Sequence, residues 1–494
     1  MGQELRRANG QGFALEQAWD TVGQLIHQKS GDVAERAYEW SRAYEPMVIT
    51  DQQWGQKRYD YDANGQIART THGDGKVEGF AYTPDLNISG TGDTDKFQNW
   101  QTTAAGVVKL ARGPLGEVVT LEHDVCGRVT QRTVARNGFR PQKWTFSWNA
   151  QDQMTRAACP DGDTWHYAYD AFGRRISKRC KHTTVTFIWD GDVIAREITE
   201  TRGDTRSVDW FFEPNSFRPM ARLENGDLSH VLNDHLGTPK EVVGGDGALL
   251  WSADHDTWGT LRTKRAAVGA QEEAEDYWIT LEYDEGAATK AYASNPEASF
   301  CPIRFQGQWE DAETGLYYNR FRYYDRTAGQ YLCLDPIGLL GGVRASAYVW
   351  QPTLFIDPSG LASKRCCRAA CRARDRARND NLRRLPNYHG RLDPALERGI
   401  MSNPDGVYLA GNGNLIFHQG ENIVVTHGPG STAGQLLTSY GSGGPQGVSG
   451  ASIFGGSPDL PGQPVTADML ANGGVPNTSG GFEPAAEFLD LDNC

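Results

Sequence analysis

Several things are missing from this sequence, and each absence excludes a class of protein. No apolar run reaches the roughly 20 residues that a membrane-spanning helix requires, so no membrane span is expected. The opening MGQELRRANGQGF has no apolar signal core and reads as a start partway into a longer protein. Arg6 stands where a myristoylation start carries Ser or Thr. The nine cysteines are odd in number and form no Cys-x-x-Cys pair, which argues against a full disulfide framework and against a zinc site of that spacing. Only Cys366, Cys367 and Cys371 cluster, and a disulfide there would await an oxidising compartment. HExxH is absent, as is the His-x-Glu with Cys-x-x-Cys of zinc deaminases. No metal and no cofactor is expected. Basic residues are also lacking: the net charge is −13, and no Lys or Arg follows Arg398. Such a chain should not adhere indiscriminately to nucleic acid. The run KRCCRAACRARDRARNDNLRR, Lys364 to Arg384, is the local exception.

The chain is rich in aromatic residues and glycine, with 14 Trp, 19 Tyr and 57 Gly, which suits many short strands joined by tight turns. From about residue 40 to 300 a strand–turn–strand unit recurs, as in WTFSWNAQDQMTRAA, WHYAYDAFGRRIS and TFIWDGDVIARE. Alternation gives each strand one inward and one outward face, and Asn149 to Asp152, Asp170 to Gly173 and Asp190 to Gly191 supply the turns. A lone hairpin cannot bury its apolar face, so the units must stack into continuous sheet; an ordinary β-sandwich is the plainer alternative. Residues 1–40 are expected to be helical, from the spacing of apolar residues in ALEQAWDTVGQLIHQ. The acidic stretch Ala274 to Ser299 reads as a surface insertion.

Composition changes abruptly after Leu361. Residues 362–386 read as a basic helical linker, either an RNA-facing surface or a plain connection. Residues 387–494 read as a small α+β domain. NYHGRLDPALERGI is helical with Pro394 and Gly399 as punctuation, and GVYLAG, NLIFHQG, ENIVVTHG and QLLTSYG are strands of a meander. Beyond Gly441 the Gly/Pro/Ser-rich tail is closer to coil than to core.

The stretch Arg304 to Leu361, with RFQGQ, ETGLYYNRFRYYD, DPIGL and DPSGL, closely resembles the end of the core of RHS-repeat (YD-repeat) proteins. RYDYDANGQIART, HYAYDAFGRRISK and HVLNDHLGTPKEVV extend the likeness upstream more loosely. The resemblance implies a mainly β fold over residues 41–361, a shell of stacked hairpins enclosing a variable toxin. It also implies self-cleavage after the second DPxGL motif, between Leu361 and Ala362, by an aspartyl-type reaction of Asp335 and Asp357. Two carboxylates in a partly dry site titrate apart, one as acid and one as base, and Arg320 or Arg322 is expected to hold one of them ionised. Without the resemblance, the same aspartates would be read as turn caps before proline.

The segment from Asn387 to Gly441 is more weakly similar to the barnase, EndoU, colicin and RelE-like group of metal-independent ribonucleases. Cleavage by the RNA's own 2′-OH needs a base, an acid and donors for the phosphorane charge. His389, His418 and His427 supply imidazoles, His418 and His427 being expected to converge near the ends of paired strands. Thr438 and Tyr440 would bind or position the phosphate, and Arg391 and Arg398 would pair with flanking phosphates. Taken singly, each histidine is equally a surface residue, and Thr and Tyr are simply strand formers. ADP-ribosyl transfer is the rival cargo, although Glu483 and Glu487 lack the Glu-x-Glu spacing; a thiol enzyme using Cys366 or Cys371, or an inert display protein, are others. The expected setting is interbacterial competition. The chain would be made in the bacterial cytoplasm and exported by a type VI or similar machine, whose delivery proteins would be partners. Its toxin would act on RNA in the target cytoplasm, with a cognate immunity protein guarding the producer.

Overall fold

In the computed structural model, the described residues are 3–92, 97–103, 106–113, 116–214, 216–266, 278–281, 301–338, 344–361, 364–365, 384, 392–409, 414–426, 435–441, 466, 470 and 487–489. The chain divides into two units, Met1–Glu39 with Pro46–Ser363, and Trp40–Glu45 with Lys364–Cys494, so the boundary falls beside the change in composition.

The first unit is antiparallel β. A ten-stranded sheet runs from Arg6–Ala8 to Gln98–Asn99 and a seventeen-stranded sheet from Gln101–Thr102 to Trp278–Leu281, each strand lying beside its neighbours in sequence. The repeat that builds them is visible in Tyr169–Gly173. Asp170 Oδ1 accepts the backbone N–H groups of Phe172 at 2.9 Å and Arg174 at 2.9 Å. Gly173, at φ +75°, closes the turn by donating to the Asp170 carbonyl. The Tyr169 hydroxyl donates back to the carbonyl of Met154 at 2.8 Å. Tyr61–Gly65 repeats the device, with Asp62 capping Asn64 and Gln66 and Tyr61 reaching the Pro46 carbonyl. The Tyr-Asp pair therefore ties each turn both to itself and to the sheet.

The N-terminal segment departs from the helical expectation. Arg6–Ala8, Ala14–Trp19, Leu25–Ser30 and Ala34–Trp40 are strands. Asp20 accepts from Val22 and Gln24, and Gly23 sits at φ +80°, so the same Asp-x-x-Gly turn splits the apolar run into a hairpin. Burial then alternates, as Leu15 buried and Glu16 exposed show. In the insertion, Trp278–Leu281 adds a strand beside Leu261–Ala266; the rest lies outside the described residues.

The stretch that carried the resemblance folds as a four-stranded sheet, Trp309–Asp311, Leu316–Asn319, Arg322–Asp325 and Gln330–Tyr331. Part of it is apolar: Leu316, Tyr318 and Tyr323 share one core with Tyr59 and Phe80 of the first long sheet and Trp144 and Phe146 of the second. Its buried charges are matched by wall residues. Arg132 meets Asp325 at 2.8 Å, Lys178 meets Asp311 at 2.8 Å and Glu313 at 2.9 Å, and Arg175 pairs with Asp311. Ions removed from water need such partners.

In the second unit, helix Pro394–Ser402 starts at the Asp393 cap, whose side chain accepts from Ala395 N; Pro394 occupies the first turn and Gly399 lies within the helix. The five-stranded sheet has the order Leu436–Gly441, Asn422–Thr426, Leu415–Gln419, Gly406–Leu409, Glu487–Leu489. The four meander strands stand where the sequence placed them. The fifth comes from the tail that reads as coil, and it pairs Leu489 with Val407. Lys364–Arg365 is a strand rather than the start of a helix, and residues 366–383 lie outside the described residues.

Candidate functional site

Asp357 follows the short strand Phe355–Ile356 and is fully buried. Its Oδ1 accepts the backbone N–H of Gly360 at 2.8 Å and of Leu361 at 3.1 Å. Its Oδ2 accepts the Tyr331 hydroxyl at 2.8 Å and lies 3.3 Å from Arg322 Nη2. That same Nη2 is 2.9 Å from Asp335 Oδ2, while Asp335 Oδ1 caps the N–H of Ile337 at 3.0 Å. One guanidinium nitrogen thus gathers the two DPxGL aspartates. Arg322 is further fixed by donating from Nε to the Gly360 carbonyl and from Nη1 to the Ala345 carbonyl at 3.1 Å, and by lying over the Tyr331 ring.

The loop that brings Leu361 here needs glycine. Gly360 has φ +76°, and a Cβ on it would lie 2.6 Å from the carbonyl oxygen of Asn319. Asn319 Nδ2 donates to the Asp357 carbonyl at 2.7 Å and to the Tyr331 hydroxyl oxygen at 2.6 Å. Burial pushes the Asp357 carboxyl up to about 6, with Arg322, Tyr331 and the two backbone donors opposing it. Burial also raises Asp335, against the pull of Arg322. A carboxyl pair with both members displaced toward neutrality can hold one proton between them.

Of the two arginines expected to serve the pair, Arg322 does so and Arg320 does not. Arg320 pairs with Asp192 at 2.9 Å and donates to the Phe172 carbonyl at 2.8 Å. Ala362 lies outside the described residues. Tyr331, Asn319 and Gly360 were not singled out by sequence reasoning. Asn319 sits in the NRF triplet beside both arginines and Gly360 inside DPSGL, so position in the motif was the available signal.

In the second unit, His418 is buried, its ring edge-on to Tyr408 at 6.3 Å. Register aligns His418 with Ile423, and Ile423 with Tyr440; Thr438 stands opposite Val425. His418 is at the turn end of its hairpin, whereas Thr426, which precedes His427, pairs with Leu415 at the open end. Gln419 and Asn422 close the turn directly after His418, and the expected convergence of His418 with His427 falls outside the described residues. Arg398 is exposed on the helix. His389, Arg391 and His427 lie outside the described residues. Sequence reasoning passed over Glu397, fully buried, which accepts from the Ser439 hydroxyl and from Arg384 Nη2 at 2.8 Å. Its spacing of three and four residues from Ile400 and Met401 marks it as facing the core.

Among the described residues Cys126, Cys159, Cys180, Cys301 and Cys333 are free thiols, and no helix is long and apolar enough to cross a membrane.

Comparison with known proteins finds several similar ones. The sequence model of the RHS protein family matches residues 230–265. The probable deoxyribonuclease RhsA of Dickeya dadantii is 28% identical over 383 residues, covering 73% of this chain and 24% of that protein. The tRNA3(Ser)-specific nuclease WapA of Bacillus spizizenii is 24% identical over 314 residues, 61% of this chain and 12% of that protein. The crystal structure of TcdB2-TccC3-Cdc42 aligns with 73% of this chain and 19% of its own, at 16% identity and a TM-score of 0.46. The chain is related to RHS-repeat proteins and spans about a quarter or less of the length of these relatives.

Proposed function

We propose that this chain belongs to an RHS-type bacterial toxin that cuts itself between Leu361 and Ala362 and frees the segment from residue 362 on as a nuclease. The observation that carries the cleavage reading is the meeting of Asp335 and Asp357 on one nitrogen of Arg322, with Asp357 also holding the N–H of Leu361. One carboxylate takes a proton from water as the water oxygen bonds to the Leu361 carbonyl carbon. The protonated partner gives its proton to the Ala362 nitrogen as the C–N bond breaks. Arg322, anchored on the Gly360 carbonyl, keeps positive charge beside the developing oxyanion.

For the freed segment, metal-independent RNA cleavage is the favoured activity, and the nuclease names of two relatives support the broader class. His427, His389 and His418 are its candidate acid–base groups, Thr438 and Tyr440 its phosphate contacts, and Arg391 and Arg398 its cationic ones. An immunity protein in the producer and a type VI or similar delivery machine belong to the same reading.

The test begins with the purified full chain on a denaturing gel. Wild type should give two fragments, the smaller beginning at Ala362, while Asp335→Asn and Asp357→Asn stay intact. Cleavage in either variant, or a different new N-terminus, overturns the protease reading. The cut wild type is then incubated in EDTA with RNA or with DNA. Fragmented RNA, preserved by His427→Ala, supports the ribonuclease; cut DNA with intact RNA replaces it with a deoxyribonuclease.

A further inference from the structure

A second cluster of titratable side chains, remote in sequence from the cleavage motifs, joins the two long sheets of the first unit. His72 and Glu78 belong to the hairpin Ile67–Thr71 and Val77–Tyr82, and Asp254 and Asp256 to the end of Leu249–His255. His72, Glu78 and Asp256 are buried, and one ligating atom from each lies within 4.8 Å of the others. His72 Nε2 is 2.8 Å from Glu78 Oε2 and 3.8 Å from Asp256 Oδ1. On the other side of the ring, His72 Nδ1 faces Asp254 Oδ2 at 3.5 Å.

Asp256 supplies an independent sign. Lys76 holds its Oδ2 at 2.7 Å, but its Oδ1 has no hydrogen-bond partner although the residue is only 3% exposed. A buried carboxylate oxygen without a donor is costly, and this one is directed at an imidazole and a second carboxylate. Glu78 and Asp256 also line a cavity of about 250 Å³, which leaves room for a water and a route of entry.

We propose that His72, Glu78 and Asp256 form a divalent-cation site suited to Zn²⁺, with Asp254 orienting the imidazole from behind. One nitrogen and two carboxylate oxygens are a zinc-type donor set, whereas Mg²⁺ and Ca²⁺ favour oxygen alone. Zinc bonds of about 2.0–2.2 Å place tetrahedral ligand atoms roughly 3.3 Å apart. The observed 2.8 and 3.8 Å bracket that spacing, so shifts of a few tenths of an ångström complete it. The ion would replace the direct His72 Nε2–Glu78 Oε2 contact, while Glu78 Oε2 also accepts from the Thr257 N–H and hydroxyl. Asp254 on the far nitrogen gives the carboxylate–histidine–metal order that fixes a ligating ring. Lys57, Lys76 and Lys240 balance the surrounding carboxylates, so the site is a neutral pocket rather than a bare acidic one. The ion would staple residues 72 and 78 to residue 256, closing a long stretch of chain.

The experiment uses the full chain stripped with EDTA and titrated with CoCl₂ alone, reading the visible absorption of four-coordinate cobalt, then with ZnCl₂ to displace it. Wild type should take up one equivalent that Asp256→Asn and His72→Gln do not, and Asp254→Asn should bind about 10–100-fold more weakly. Equal uptake by wild type and Asp256→Asn overturns the site. Should these variants fail to fold, the wild type alone decides: ZnCl₂ must raise its unfolding midpoint above that in EDTA, and no rise refutes the proposal. Neither readout depends on self-cleavage.

Discussion

Tyr331 and Asp357 are joined by a 2.8 Å hydrogen bond from phenol to carboxylate, and the phenol oxygen in turn accepts from Asn319. The side chain of Asn319 also holds the backbone carbonyl of Asp357, so a single amide fixes both ends of the aspartate. The Tyr331 hydroxyl favours the ionised carboxylate. Tyr331→Phe should therefore raise Asp357 further, move the fall in the self-cleavage rate to higher pH and cost roughly 1–1.5 kcal/mol of stability. Cleavage followed after in vitro synthesis, with a urea titration of the uncut chain, checks both.

The pH dependence follows from the direction of the Asp357 shift. Burial raises it to about 6, above the roughly 3.9 of an unfolded aspartate. The folded state thus binds this proton more tightly, and the associated stability is present below about 4 and lost as pH rises through about 6. Asp335 is raised in the same direction. Since the reaction needs one proton on the pair, cleavage should fall as pH rises above about 6. A rate that is flat from about pH 5 to 8, in a timed gel assay, contradicts the shared-proton mechanism.

Gly360→Ala should leave the sheets folded and disable the cut. Left-handed backbone costs a residue with a Cβ about 1–2 kcal/mol, and here the Cβ also meets the Asn319 carbonyl at 2.6 Å. Displacing Gly360 moves the N–H groups that Asp357 holds, and a misplacement near 1 Å costs on the order of a hundredfold in rate. A variant that cuts at the wild-type rate would show that this loop geometry is dispensable.

Asp311→Asn tests the packing of the four-stranded sheet. Asp311 neutralises Arg175 and Lys178, all three of them buried. Removing its charge leaves Arg175 without a carboxylate partner, while Lys178 keeps Glu313, a loss of about 3–5 kcal/mol. The expected result is a lower urea midpoint with an unchanged slope, measured on the uncut Asp335→Asn background.

Much of this was legible in the residues. Tyr-Asp-x-x-Gly carries its own turn, so the hairpins from Tyr61 to Asp190 could be placed from sequence, and so could the meander from Gly406 to Gly441. The N-terminal hairpin is hidden because Leu15, Trp19, Val22 and Ile26 fit a helical period until Asp20 and Gly23 are recognised as the same turn. The strand Glu487–Leu489 could not be found locally, since its partner lies some eighty residues earlier and its flanks are rich in Gly and Pro. At the proposed cleavage site, the motif pointed to the two aspartates but not to which arginine lies between them. Arg320 and Arg322 both fall within NRFRYYD, and only the fold separates them, Arg320 sitting at φ +49° and directed to Asp192 while Arg322 begins the strand that faces Asp357. Asn319 acts through a backbone carbonyl, and such a role leaves no compositional trace.

Asp357 grips Gly360 and Leu361 by their backbone N–H groups, and both residues stay on the upstream side of the proposed cut. The newborn Leu361 carboxylate would therefore remain where it forms, beside the aspartate pair and its one guanidinium. Religation would need the Ala362 amine to return uncharged to that carboxyl, whereas the freed amine takes up a proton at neutral pH and leaves with its segment, so the proposed step would run one way. On this reading the cleavage site has no turnover and no affinity for a separate substrate to improve; it would be a fuse that fires once, after folding, and does not reset.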